Sequence, residues 1–195
     1  MEHLVILSLV FLNLFMIVGA VDLFYYHLWK YQLHTRPESR FEHKIHTAFA
    51  FLMVPVAFLL YYNNAGGYAL WAGVIFVLIA LGVEMLDVFA EGDSRASLGG
   101  LTTGEYSLHV AATIFKVASF VFILGTKPAA AWSLSAEPFQ GSYGFMAEMM
   151  ALKVMIGSFL MGVLHLVLLS RKATSLACET ACSTIGCKRF ACCES

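Results

Sequence analysis

The chain reads as an all-α integral membrane protein of about five transmembrane helices, four of them forming an antiparallel bundle around a polar site. Three observations predict this. Hydrophobic residues make up 59% of the 195 positions and charged residues only 13%, with a mean hydropathy of +0.76, which belongs in lipid rather than in a soluble domain. Apolar stretches long enough to cross a hydrocarbon core of roughly 30 Å recur along the chain. The ionisable residues within them gather at one end of successive stretches instead of being scattered.

The apolar stretches cover 4–29, 41–62, 69–91, 104–125 and 143–169, and in lipid each satisfies its backbone hydrogen bonds only as a helix. The first lacks the basic n-region and small-residue cleavage site of a signal peptide, and Asp22 to Trp29 prolong it, so it is expected to be an anchor. A polar connection containing Pro37 spans 30–40, and Asn63-Asn64-Ala65-Gly66-Gly67 is a turn signal. Such short links imply antiparallel neighbours. Residues 92–100, rich in Gly and Ser, read as a flexible loop over the polar ends, either a lid or a plain connection. Pro128, Trp132 and Pro138 within 126–142 suggest a segment lying at the membrane interface. No internal repeat is visible. The domain reading is therefore a transmembrane unit over 1–170 and a Cys-rich tail over 171–195, expected to be flexible.

Five crossings put the two termini on opposite sides. Lys30, Arg36, Arg40, Lys44, Arg95, Arg171, Lys172, Lys188 and Arg189 all fall on the side opposite the N-terminus, against Lys127 alone on the other. By the positive-inside rule the N-terminus is outside and the C-terminus cytoplasmic. Cys178, Cys182, Cys187, Cys192 and Cys193 would then meet a reducing compartment, where disulfides are not expected. Their odd number and tight spacing suit thiolate metal binding, but no C-x-x-C pair is present, and a disordered tail reads equally well.

The polar ends carry the chemistry. The first helix bears Asp22 and, one turn on, Tyr26; the second opens with Glu42, His43 and His46; the third closes with Glu84, Asp87 and Glu91; the fourth opens with Glu105 and His109. At about 100° per residue, Glu84, Asp87 and Glu91 fall within about 60° of one another, and Glu105 and His109 within about 40°. Ionisable groups inside membrane helices are costly, so each is a functional hypothesis. Carboxylate and imidazole ligands around a helix bundle suit iron, manganese or zinc. The pattern departs from the Glu and Glu-x-x-His arrangement of soluble di-iron bundles, so that analogy is architectural only.

Plainer readings compete. Ser39-x-x-Glu42 and Thr102-x-x-Glu105 match the capping box, in which the Glu returns to the N-cap amide. Glu91 and His43 lie where solvation is ordinary. Lys116 and Lys153 fall near mid-membrane, and Lys116 either faces a cavity or pairs with Glu148. Met146, Met149, Met150, Met155 and Met161, with His165, raise Cu(I) as a ligand, although these methionines do not share one face.

The expected metal ligands are thus Asp22, His43, His46, Glu84, Asp87, Glu105 and His109, with Glu42, Glu91, His27 and His165 behind them and Tyr26 and Lys116 facing the cavity. The leading expectation is a divalent-metal oxidoreductase, most concretely a non-haem di-iron site acting on an apolar or quinone-like substrate, with zinc or copper as other ions. One alternative is a haem b electron-transfer protein. His27 weakens it, because on an α-helix it lies about 140° from Asp22 and the two do not share a centre. The other is a metal-ion or proton carrier, or an accessory subunit, for which a homo-oligomer or larger membrane complex would be the partner. Nucleic acid is not an expected partner.

Overall fold

The computed structural model describes residues 2–185, side chains beyond residue 170 excepted. Helix α1 runs Glu2–Val21 and continues as a π-helical segment, Asp22–Lys30; α2, Arg40–Ala57, continues the same way over Phe58–Tyr62. Helices α3, Gly67–Ser94, and α4, Thr103–Gly125, are joined by Arg95 and a short 3₁₀ turn, Ala96–Leu98; α5 runs Phe145–Ile185 and so takes in the first part of the expected tail. The expectations for the five cysteine side chains lie outside the described residues. No strand occurs among those residues, only an isolated bridge between Ala65 and Phe139.

Five helices are long and apolar enough to cross a membrane: Glu2–Lys30, Arg40–Tyr62, Gly67–Ser94, Thr103–Gly125 and Phe145–Ser170. Much of their outward surface is apolar, with Ile75, Leu78, Phe89, Ile114 and Leu160 all more than half exposed, which suits a bilayer better than water. The third helix closes at Ser94, three residues later than its apolar stretch suggests.

The helices pack in a ring, α3 on α2, α2 on α5, α5 lightly on α1, and α1 on α4. Contacts at both ends fix the directions. Ser8 meets Ser119 and Asp22 meets His109, so α1 and α4 are antiparallel. Phe51 meets Phe159 and His43 meets His165, which sets α2 against α5. Small residues allow close approach: a Cβ on Gly73 would come within 2.6 Å of Leu60, and one on Gly162 within 2.8 Å of Phe51. Away from the site, Ser8, Ser119 and Tyr61 satisfy one another. The Ser8 hydroxyl donates to the Ser119 carbonyl (2.9 Å), the Ser119 hydroxyl to the Ser8 carbonyl (2.8 Å), and the Tyr61 hydroxyl lies 2.6 Å from that of Ser119.

At the other end, residues 126–142 fold back over the α2–α3 turn. The Gly66 amide donates to the Pro138 carbonyl (3.0 Å) and the Asn64 amide to that of Gly141 (2.9 Å). Lys127 donates to Asn64 Oδ1 (2.7 Å) and to the Ala65 carbonyl (2.8 Å), and burial pulls its ammonium down to about 8. Gly67 makes this closure feasible: its φ is +54°, and a Cβ there would lie 2.3 Å from the Ala136 carbonyl oxygen. Gly67→Val is expected to lower stability by about 1–3 kcal/mol, read as a lower thermal midpoint in detergent. An unchanged midpoint would show that the turn does not carry this contact.

Candidate metal centre

The π-helical stretch of α1 shapes the site. Its hydrogen bonds run from residue i to i+5, as in Tyr31 N–H donating to the Tyr26 carbonyl (3.0 Å). Residues five apart therefore lie about one turn apart instead of on different faces. His27 consequently sits under Asp22, with Nε2 3.3 Å from Asp22 Oδ2. This overturns the expectation that the two could not share a centre, which assumed α-helical pitch. His27 is buried, 1% exposed.

Around this pair the helix ends converge. His109 Nε2 lies 3.1 Å from Asp22 Oδ1, and His109 Nδ1 lies 2.5 Å from Glu91. His46 Nε2 lies 3.3 Å from Asp87 and 3.7 Å from Glu42, and Glu42 is 3.7 Å from His27. Two sets place one donor atom per residue all within 4.8 Å of one another: Asp22, His27, Glu105 and His109, and His27, Glu42 and His46. Donor atoms on opposite sides of an ion with bonds of about 2.0–2.2 Å lie about 4 Å apart, so small adjustments would close either set. His27 belongs to both.

Residue Arg95 is the member that sequence reasoning missed. It was counted only as a loop charge, yet it is fully buried. Its guanidinium forks onto both oxygens of Glu42, with Nη1 donating at 2.7 Å and Nη2 at 3.0 Å, and it donates through Nε (2.9 Å) and Nη2 to Glu105 Oε1. Ser94 ties the approach down by donating to Ser39 (2.8 Å). Burial pulls the guanidinium down, but its hydrogen bonds to Glu42 and Glu105 outweigh that and hold it above its ordinary value. Glu42 and Glu105 therefore serve this arginine. The capping boxes do not form, since neither Ser39 nor Thr102 caps its helix with its side chain. The loop over the polar ends thus delivers a cation into the site.

The donor atoms open onto a cavity of about 210 Å³. Asp22, His27, His46, Glu84, Asp87, Glu91 and His109 line it, together with Lys116. All five helices contribute to the wall, not four: α5 supplies Gly157, Ser158, Met161 and His165. His165 stacks on His46 with ring centroids 5.7 Å apart, and its Nδ1 lies 2.9 Å from that of His43, which places His43 behind the wall. Lys116 reaches Glu84 rather than Glu148, and Thr113 donates to Glu84 (2.7 Å). Tyr26 does not line the cavity; it packs on the start of α4, where a Cβ on Gly104 would meet its hydroxyl at 2.6 Å. Of the five α5 methionines only Met161 reaches the wall, and Lys153 sits exposed on the outer face of α5.

Two features make this arrangement fit cations. In and beside the cavity, six carboxylates, Asp22, Glu42, Glu84, Asp87, Glu91 and Glu105, face two basic side chains, Arg95 and Lys116. The remaining four negative charges need protons or bound cations, because unpaired buried charge is costly. Several buried donor atoms also approach their neighbours without hydrogen-bond geometry: Asp22 Oδ1, His46 Nε2, Asp87 Oδ1, Glu105 Oε2 and both ring nitrogens of His109. Asp22, His27, Glu105 and His109 bring donor atoms within 4.8 Å of one another, a spacing that an ion can bridge.

No family model, curated protein or solved structure matches the chain. Function must therefore be argued from this site alone.

Proposed function

We propose that the chain is an integral membrane metalloprotein, with two divalent ions bound where the polar helix ends meet, and that it is an oxidoreductase acting on an apolar, lipid-soluble substrate. The observation that carries this reading is the pair of donor sets that adjoin at His27, whose Nε2 can ligate in one of them. The excess of carboxylates over Arg95 and Lys116 supports bound cations, with protons on the histidines able to share the compensation. Imidazole and carboxylate without thiolate favour iron, manganese or zinc over Cu(I). Zinc has no redox chemistry, so an oxidoreductase would use iron, the ion proposed, or manganese. The lysine and arginine asymmetry supports placing the site at the cytoplasmic face.

Within this reading the protein's own groups have distinct tasks. A bound redox ion supplies the electron-transfer and oxygen chemistry that side chains lack. His27, His46 and His109 offer nitrogen donors, and Asp22 and Glu105 oxygen donors. Asp87 and Glu91 hold His46 and His109 in place from α3. Arg95 holds Glu42 and Glu105 at the site by hydrogen bonds. Phe15, Phe49 and Met53 close the rest of the cavity with apolar surface, which excludes water and admits an apolar molecule.

A haem b reading is less well supported. Pockets for drug-sized ligands occupy about 300–1,000 Å³, and haem is no smaller than such ligands, whereas this cavity has about 210 Å³.

The test is elemental analysis of protein purified without added metal. About two equivalents of iron per chain are expected, the ratio of di-metal carboxylate bundles, and the Asp22→Asn/His109→Ala variant is expected to lose at least one. Protein that binds no iron, manganese or zinc, before or after incubation with the salts, would overturn the reading and leave a polar network.

A further inference from the structure

Helices α3 and α4 are consecutive and joined by a short loop, yet they scarcely touch. The ring of helices is open between them. Two ionic rungs span the opening, Glu91 with His109 and Glu84 with Lys116. The rungs are seven residues apart on each helix, hence about 10 Å apart along the bundle. Between them stand Val88 of α3 and Ala112 of α4, both lining the cavity, and Val88 is 58% exposed on the outer face. A frame of charge with a small-residue pane faces the lipid.

The deeper rung sits among apolar groups. The Lys116 ammonium lies 4.6 Å from the centre of the Phe49 ring and 5.7 Å from that of Phe15. Its charge is already matched by Glu84, so it offers a hydrogen bond without a net attraction for an anion. The cavity's 210 Å³ is smaller than the roughly 300–1,000 Å³ of pockets that enclose a drug-sized ligand. A larger molecule must leave its remainder outside, and the outside here is bilayer.

We propose that the deep end of the cavity binds the uncharged, oxygen-bearing head of a long-chain lipid-soluble molecule, a hydroxyl or carbonyl compound, which enters from the bilayer between α3 and α4 and leaves its tail in the opening. The head accepts a hydrogen bond from Lys116 and, if a hydroxyl, donates to Glu84. This names the substrate class for the function above and rests on that reading for the membrane setting and for the metal at the cavity's other end.

The test uses the full chain in phospholipid nanodiscs and a hexadecanol probe with a photoactivatable diazirine beside the hydroxyl, with labelled residues located by peptide mass spectrometry. Labelling is expected around Phe15, Phe49 and Lys116, competed by unlabelled hexadecanol but by neither hexadecane nor palmitate. Val88→Trp, which fills the pane from an exposed position, is expected to abolish the competed label while metal content and helicity stay at wild-type levels. Glu84→Gln/Lys116→Met, which removes both charges together, is expected to weaken competition about tenfold, the effect of losing one hydrogen bond to a charged group. Label spread evenly over the lipid-facing surface, label in the cavity that Val88→Trp leaves intact, or equal competition by palmitate would each overturn the proposal. Metal measured on the same samples separates the two readings. A metal-free wild type that still takes the competed label supports this inference and sinks only the metalloprotein reading; a metal-loaded one without it sinks only this inference.

Discussion

Replacing His27 with alanine is expected to cost the site at least one metal equivalent. The residue is common to both donor sets, but its contacts with Asp22 and Glu42 both run through Nε2, which as a single nitrogen holds one ion, so its loss removes a ligand from the ion it serves. Disturbing only an outer partner of a metal ligand weakens binding about 10–100-fold, and losing a ligand outright exceeds that. Glu105→Gln belongs to one set only and is expected to spare the other position. The contrast is with a residue outside the site: His27→Ala and Glu105→Gln each carry at most about one equivalent in a di-metal site, and His43→Ala, which lies behind the wall, the wild-type content. Stability follows the same order. A ligand present at 100 times its Kd stabilises by about 2.7 kcal/mol, so added metal should raise the thermal midpoint of the wild type more than that of His27→Ala. Two retained equivalents in His27→Ala would refute His27 as a ligand.

How far the site was legible in the sequence depends on which assumption each residue obeyed. Apolar run lengths and the crowding of acids and histidines at one end of successive stretches led directly to the helices and to the region of Asp22, His46, Asp87 and His109. Those inferences needed only the length of a helix and the penalty for burying charge. His27 ranks behind the leading ligands when Asp22–Lys30 is given α-helical pitch, which turns it about 140° from Asp22, and the π-helical segment reverses that conclusion. No residue in the stretch announces it; five-residue pairing of Asp22 with His27 was the one spacing that hinted at it. Glu42 and Glu105 matched a local capping pattern that cannot be told from sequence apart from a distant ion pair. Arg95 was hidden by its setting between glycines and serines, which read as a loop. The signal available was indirect: many acids at one depth require counter-charge, and Arg95 is the cation closest in sequence to Glu91 and Glu105.

Arg95 also provides the largest expected loss of stability. Glu42 is 2% exposed and Glu105 fully buried, and Arg95→Gln leaves both without their cation. Breaking a buried ion pair by removing one partner costs about 3–5 kcal/mol, and here two carboxylates lose the same partner. Metal-free Arg95→Gln is therefore expected to unfold well below the wild type, or to fold poorly. Arg95→Lys should recover only part of the loss, because one ammonium cannot reproduce the planar fork that serves both carboxylates. Two further arms separate loss of charge from loss of packing. Adding a divalent ion should raise the midpoint of Arg95→Gln more than that of the wild type, since the variant has one more negative charge to offset. Arg95→Gln/Glu42→Gln/Glu105→Gln should regain much of the stability without metal, because neutralising a whole buried network is far less costly than leaving half of it charged. A single Arg95→Gln variant as stable as the wild type in the absence of metal would mean that Glu42 and Glu105 are not ionised there, and the charge excess that argues for bound cations would fall with it.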